Sequence, residues 1–168
     1  RFVSIELGVQ TFCDERLKWL ARGHNGQKAI DAIWRIKENT PVDLGIHLIF
    51  GLPHETDEEI ICLAEKVNNL PIDNVKLHNL HVLKDTELAD LWQRGDFDPI
   101  SRELYIHRVI LFLEHLRPDI AVHRLAAVAS RHEELLAPHW ASSKMQTYQM
   151  VLDEFKLRQS YQGRMWSS

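Results

Sequence analysis

Cysteine is scarce in this chain. Two of its 168 residues, Cys13 and Cys62, carry a thiol. They stand far apart in sequence, so neither a disulfide framework nor a CxxC site can be read. Apolar runs are short, and none could span a bilayer. No signal peptide is visible, so no membrane partner is expected and a cytoplasmic location is. The phosphate-loop frames GxGxxG and GxxxxGK(S/T) are missing, as are GxSxG, any Ser-His-Asp pattern and HExxH. Excess positive charge is missing too. The formal charge is −4, which argues against a nucleic-acid footprint over the whole surface and leaves room only for a local patch. An initiating Met is also lacking. The chain opens Arg1-Phe2-Val3-Ser4-Ile5, already in a strand pattern, and is read as a piece of a longer protein.

What is present fits one α/β domain with a core, since 45% of the residues are hydrophobic. The most sharply specified stretch is Leu44 to Thr56, LGIHLIFGLPHET. Leu44, Ile46, Leu48 and Phe50 alternate with Gly45, His47 and Ile49, the period of a strand. Gly51 and Pro53 stop it. Thr56 with Glu59 three residues on forms a capping box, and Ile60, Leu63, Ala64 and Val67 then share a helical face.

The same reading extends along the chain. Phe2 to Gln10 is a first strand, with Ile5, Leu7 and Val9 on one face and Ser4, Glu6, Gly8 and Gln10 on the other. The polar face lines a pocket or a barrel interior; an edge strand with one wet face would give the same pattern. Asp14 is expected to cap a short helix, and a second helix carries Ile30, Ile33 and Trp34. Val75 to Val82 reads as a third strand and Ile120 to Leu125 as a fourth. Thr86 and Ser101 open helices, Leu135 to Trp140 is a loop, and Tyr148, Val151, Leu152 and Phe155 mark a last helix. The order β-α-β-α-β implies parallel strands with right-handed crossovers, and ligands in such folds sit at the C-terminal strand ends.

Ten histidines stand out. His47, His78, His81 and His123 fall on strands or strand ends, where they either line a pocket or hold a metal for a hydrolase. Their spacing gives no ligand pattern, and no metal is assigned. Arg22, before Gly23, either reaches a carboxylate or phosphate or rests as a solvated helix C-terminus.

Three segments in order, Glu6-Leu7-Gly8-Val9-Gln10-Thr11, Arg22-Gly23-His24 and His47 to Thr56, make the chain resemble the radical S-adenosylmethionine superfamily. It is similar to the branch holding oxygen-independent coproporphyrinogen III oxidase and the Elongator catalytic subunit, and closer to the YhcC/YtqA group. Val75-Lys76-Leu77-His78, His123-Arg124-Leu125 and Leu135 to Trp140 look like that group's own segments.

The resemblance implies the second half of a partial (β/α)6 TIM-like barrel in residues 1–86 and a mainly helical C-terminal extension in residues 87–168. It implies S-adenosylmethionine and a [4Fe-4S] cluster as cofactors, the cluster's ligands lying in a missing N-terminal half that would be this chain's partner. Cys13 and Cys62 match neither the cluster motif nor its place, so the fragment alone is expected to be inactive. Gln10 matches a position approaching the cofactor, and Arg22 an arginine at its carboxylate end. Glu6 would face ribose or substrate. His47 replaces an Asp that binds ribose, and Leu80 would border adenine. His78, His81 and His123 would lie on the substrate side. The turn usually reads GLPGET, and His54 replaces its second Gly. Self-association through an exposed barrel edge is expected, and the likeness to Elongator admits tRNA as a partner. A non-catalytic nucleotide- or RNA-binding barrel is the alternative to an enzyme.

Overall fold

The computed structural model describes residues 3–129 and 131–167. Four strands form one parallel sheet: β1 (Ser4–Gln10), β2 (Asp43–Phe50), β3 (Asn74–Asn79) and β5 (Ala121–Arg124), in that spatial order. Helices α1 (Asp14–Trp19) and α2 (Gly26–Asn39) connect β1 to β2, and α3 (Asp57–Asn68) connects β2 to β3. Two short strands, β4 (Val82–Leu83) and β6 (Leu135–Ala137), pair antiparallel beside the sheet. Helices α4 (Glu87–Gln93), α5 (Arg102–His115) and α6 (Lys144–Leu157) complete the chain. The start of the first strand at Phe2 lies outside the described residues. Among the described residues, no helix is long and apolar enough to cross a membrane.

The alternation read from β2 is what packs the sheet. Leu44, Ile46, Leu48 and Phe50 are each 0% exposed, and Val75 and Leu77 of β3 match them. Each such side chain contributes about 1.5–3 kcal/mol on burial. Helices α3 and α5 cover this face; Phe50 meets Phe112 edge-on at 5.4 Å, with Ile60, Val67, Val109 and Ile110 around them. The capping box is present, Thr56 and Glu59 exchanging both bonds. Asn25, Thr86 and Ser101 cap α2, α4 and α5 through their side chains.

Four expectations are corrected. Cys13, not Asp14, holds the N-cap position of α1; the Asp14 carboxylate instead accepts the Gly26 N–H at 2.7 Å, joining the starts of α1 and α2. The third strand ends at Asn79 rather than Val82. The buried Asn79 side chain accepts the Ala127 N–H, and the Leu80 N–H turns back to the Phe50 carbonyl. Leu80 and Val82 then enter a separate apolar cluster with Leu52, Phe97 and Ala137. Leu135 to Trp140 is no loop, since it holds β6 and the start of a 3-10 turn. Strands of two and three residues are too short to show a period. Lastly, Trp34 is 44% exposed, although Ile33 beside it is fully buried.

Candidate functional site

The second face of the sheet is polar. Register places Glu6 beside Gly45, His47 beside Lys76, Ile49 beside His78, and Lys76 beside Arg124. Four neighbouring strands thus contribute Glu6, His47, Lys76, His78 and Arg124 to one patch. Lys76 and His47 both bond the Glu6 carboxylate, one oxygen each, the His47 Nε2–H at 3.0 Å. These two bonds, that of Lys76 first, draw the Glu6 carboxyl down to about 2. The His47 and His78 rings stack at 5.1 Å.

Arg124 Nη1 lies 2.9 Å from His78 Nε2. Guanidinium can only donate, so His78 Nε2 is the acceptor and its proton sits on Nδ1. Burial first, and then the Arg124 charge, push this imidazole down to about 4, so it is neutral near pH 7.

Higher on β1, a second group forms around Gly8. Gln10 has φ +67°, in the left-handed region that side chains seldom adopt, and this turns it back across Gly8. A Cβ on Gly8 would stand 2.7 Å from Gln10 Nε2 and 3.3 Å from Arg22 Nη2. Arg22 Nη2 donates to the Gly8 carbonyl at 3.2 Å. Arg22 also borders a cleft of about 290 Å³ with Leu7, Val9, Lys28, Ala29 and Ala32. The structure therefore brings Gln10 and Arg22 together over a glycine, and Glu6, His47 and His78 together on the sheet.

The remaining residues singled out lie elsewhere. His81 is past the end of β3, with Asn79 Nδ2 donating to its Nε2 at 2.7 Å; burial lowers its basicity. His123 is the extra residue at a bulge in β5 and is exposed. Leu80 buries its side chain in the second cluster. No group of three or more His, Cys, Asp or Glu among the described residues is placed to hold a metal ion, so the four strand-end histidines give a metal-dependent hydrolase no support.

The turn after β2 has two supports that no spacing rule points to. Arg16 of α1 donates to the Pro53 and His54 carbonyls and pairs with Glu59 at 2.7 Å. Arg108 of α5 bonds the Glu55 carbonyl and, at 3.0 Å, the Glu55 carboxylate. Glu55 also accepts the Gly51 N–H at 2.8 Å. Its side chain is 5% exposed, and burial pushes the carboxyl up to about 6 against these favourable bonds. His54 has φ +56°, which explains physically why a Gly suits that position in GLPGET.

Residues 72–156 match the Radical_SAM C-terminal domain. The chain belongs to the radical S-adenosylmethionine superfamily and carries its C-terminal part. Protein YhcC of Escherichia coli K12 is 32% identical over 167 residues, which are 98% of this chain and 53% of YhcC. The chain thus spans about half the length of such relatives. The tRNA uridine(34) acetyltransferase of Methanocaldococcus infernus is 32% identical over 68% of this chain and 22% of its own length. Among solved structures, an N-terminally truncated Elp3 from Methanocaldococcus infernus superposes with a TM-score of 0.79 at 21% identity, covering 95% of this chain and 37% of that one. This likeness shares the mixed α/β fold with its parallel sheet.

Proposed function

We propose that this chain is the S-adenosylmethionine-binding half of a partial (β/α)6 barrel enzyme, completed by an N-terminal half that holds a [4Fe-4S] cluster. One observation carries the reading: Gln10 and Arg22 converge on Gly8, whose missing Cβ lets the ends of both side chains close over the strand. A guanidinium with no carboxylate partner among the described residues suits the carboxylate end of the cofactor. With its Nε2–H given to Glu6, the His47 ring in that tautomer keeps Nδ1 as an acceptor for a ribose hydroxyl, the task of the Asp it replaces. Glu6 has both oxygens engaged and acts by fixing His47. The Leu80 backbone, tied to Phe50, would border adenine.

The chain's own residues do not fit an iron–sulfur cluster, because two cysteines cannot supply three thiolates. The cluster ligands would lie outside this chain. Held by Gln10, Arg22 and His47, S-adenosylmethionine would supply radical chemistry once the other half brings a reduced cluster. Residues 1–86 would then be barrel and residues 87–168 the extension, with β5 adding the last strand to the sheet. β1 is an edge strand, and the mostly apolar cleft beside it gives the other half, or a second copy, a surface to cover. The tRNA in the name of the Methanocaldococcus infernus acetyltransferase is not carried over, since a shared fold does not carry a substrate.

The test uses the product of the whole gene, reconstituted anaerobically with iron and sulfide, reduced and given S-adenosylmethionine. 5′-Deoxyadenosine should form, and should be lost in Gln10→Ala and Arg22→Ala. Absence of both product and cluster absorbance would refute the enzyme reading and leave the non-catalytic barrel module.

A further inference from the structure

We propose that Arg124, backed by His78 and flanked by Lys76, is a subsite for an oxyanion of the substrate, a carboxylate or a phosphate. This rests on the reading above only in assigning the anion to a substrate.

The charge balance of the polar face is the starting point. Lys76 and Arg124 sit side by side in register, two cations on neighbouring strands. Two carboxylates share this face: Glu6, held by Lys76 and His47, and Asp43 at the start of β2, bonded by Ser4 and Asn74. Arg124 has no carboxylate within ion-pair distance among the described residues. Arg16, Arg94, Arg108, Arg117, Arg131 and Arg158 each have one; Arg22, Arg35, Arg102 and Arg164 share its lack, but among these Arg124 is the one set in register beside a lysine. A half-buried guanidinium beside a lysine is costly without a counter-charge, and its fork geometry matches carboxylate and phosphate oxygens.

Its one protein partner reinforces this. Arg124 uses Nη1 on the lone pair of His78 Nε2, which orients the guanidinium without neutralising it. That bond also fixes the His78 tautomer, so the ring carries a donor, Nδ1–H, with no protein acceptor among the described residues. The stacked His47 ring holds the imidazole plane. The patch thus presents a fixed cation and an oriented neutral N–H donor, a set that favours an anion over a neutral ligand. It shares its sheet face with Glu6 and His47, the residues assigned above to the ribose end of the cofactor.

The test needs neither S-adenosylmethionine nor a cluster, so its failure and that of the cofactor reading can be told apart. The whole gene product is labelled at the histidine Cε1 carbon. Inorganic phosphate and, separately, acetate are titrated at constant ionic strength set with chloride. The His78 signal, assigned by its loss in His78→Gln, should shift saturably with one probe, while the exposed His54 stays still. The stronger probe names the class, phosphate ester or carboxylate. Arg124→Gln should weaken binding at least tenfold, and Arg124→Lys should retain part of it. A His78 signal that ignores both probes, or that responds equally in Arg124→Gln, would overturn the proposal.

Discussion

Replacing Arg108 by Met should destabilise the protein in a pH-dependent way whose size the structure sets. Arg108 is 9% exposed at its side chain, its Nη1 lies 3.0 Å from the Glu55 carboxylate, and it also bonds the Glu55 carbonyl. In the wild type, Glu55 sits at about 6 instead of 4.5, a raised value, so the fold favours its protonated form. Its contribution is therefore best at low pH and worsens as pH rises from 4.5 to 6. Above that it costs about 2 kcal/mol, at about 1.36 kcal/mol per pKa unit. Without Arg108 the carboxyl can always escape by taking a proton. At pH 7 that costs at most about 3.4 kcal/mol, by the same conversion from the unfolded value. The charge part of the loss is thus at most about 1.4 kcal/mol by that conversion. The orphaned Glu55 carbonyl adds about 1–3 kcal/mol. Arg108→Met should cost about 2–4 kcal/mol at pH 7, and less at pH 5 by up to about 1.4 kcal/mol, since both proteins then hold Glu55 protonated. Urea unfolding followed by tryptophan fluorescence at the two pH values measures this. A loss that is equal at pH 5 and pH 7 would refute the role given to the Glu55 charge.

Two further outcomes follow from single residues. His54→Gly relieves a side chain held at φ +56° and should stabilise by about 0.5–1 kcal/mol, raising Tm by about 1–4 °C in a thermal melt; no rise, or a fall, would show that the His54 side chain compensates elsewhere. Lys76→Met removes the bond that does most to lower the Glu6 carboxyl to about 2. A lowered carboxyl contributes stability that is present above 4.5 and lost as pH falls toward 2, so the variant should lose about 0.5–1 kcal/mol near neutral pH and show a shallower acid limb in a stability-against-pH series.

The elements most legible in the sequence are those whose local pattern and tertiary environment agree. β2 and α3 are of this kind: strict alternation, a Gly-Pro stop, a capping box and an apolar helical face all appear where Leu44 to Val67 specify them. The polar face of β1 is legible as far as Glu6, which alternates with Ile5 and Leu7; beyond it a register shift sets Gln10 opposite Leu48, which the period-2 pattern does not show. What is illegible depends on partners far off in the chain. Val82 looks like a continuation of β3 because no Gly or Pro separates it from Asn79, yet its pairing is set by Ala137. Arg16 and Arg108 look like ordinary helix-surface cations, and nothing in their spacing shows that both reach the turn at Pro53 to Glu55. Arg124 belongs to a segment singled out by resemblance, but its lack of a carboxylate among the described residues is a property of the assembled sheet.

The polar site owes its geometry to the apolar face behind it. His47 meets Glu6 and His78 only while β2 keeps its register against β1 and β3. A slip of one residue would turn His47 away and bring Ile46 and Leu48 onto the polar face, because strand side chains alternate. It would also expose Leu44, Ile46, Leu48 and Phe50, now fully buried. At about 1.5–3 kcal/mol each, that is on the order of 6–12 kcal/mol, comparable with the whole stability of a typical domain, about 5–15 kcal/mol. By contrast the surface-accessible bonds among Glu6, His47 and Lys76 contribute at most about 1 kcal/mol apiece. The ionic contacts therefore select the orientation of each side chain within the patch, while hydrophobic burial selects which side chains are there. Substitutions at Glu6, Lys76 or Arg124 should accordingly alter ligand binding with little change in fold, whereas a loss of core volume such as Ile46→Ala acts on both together.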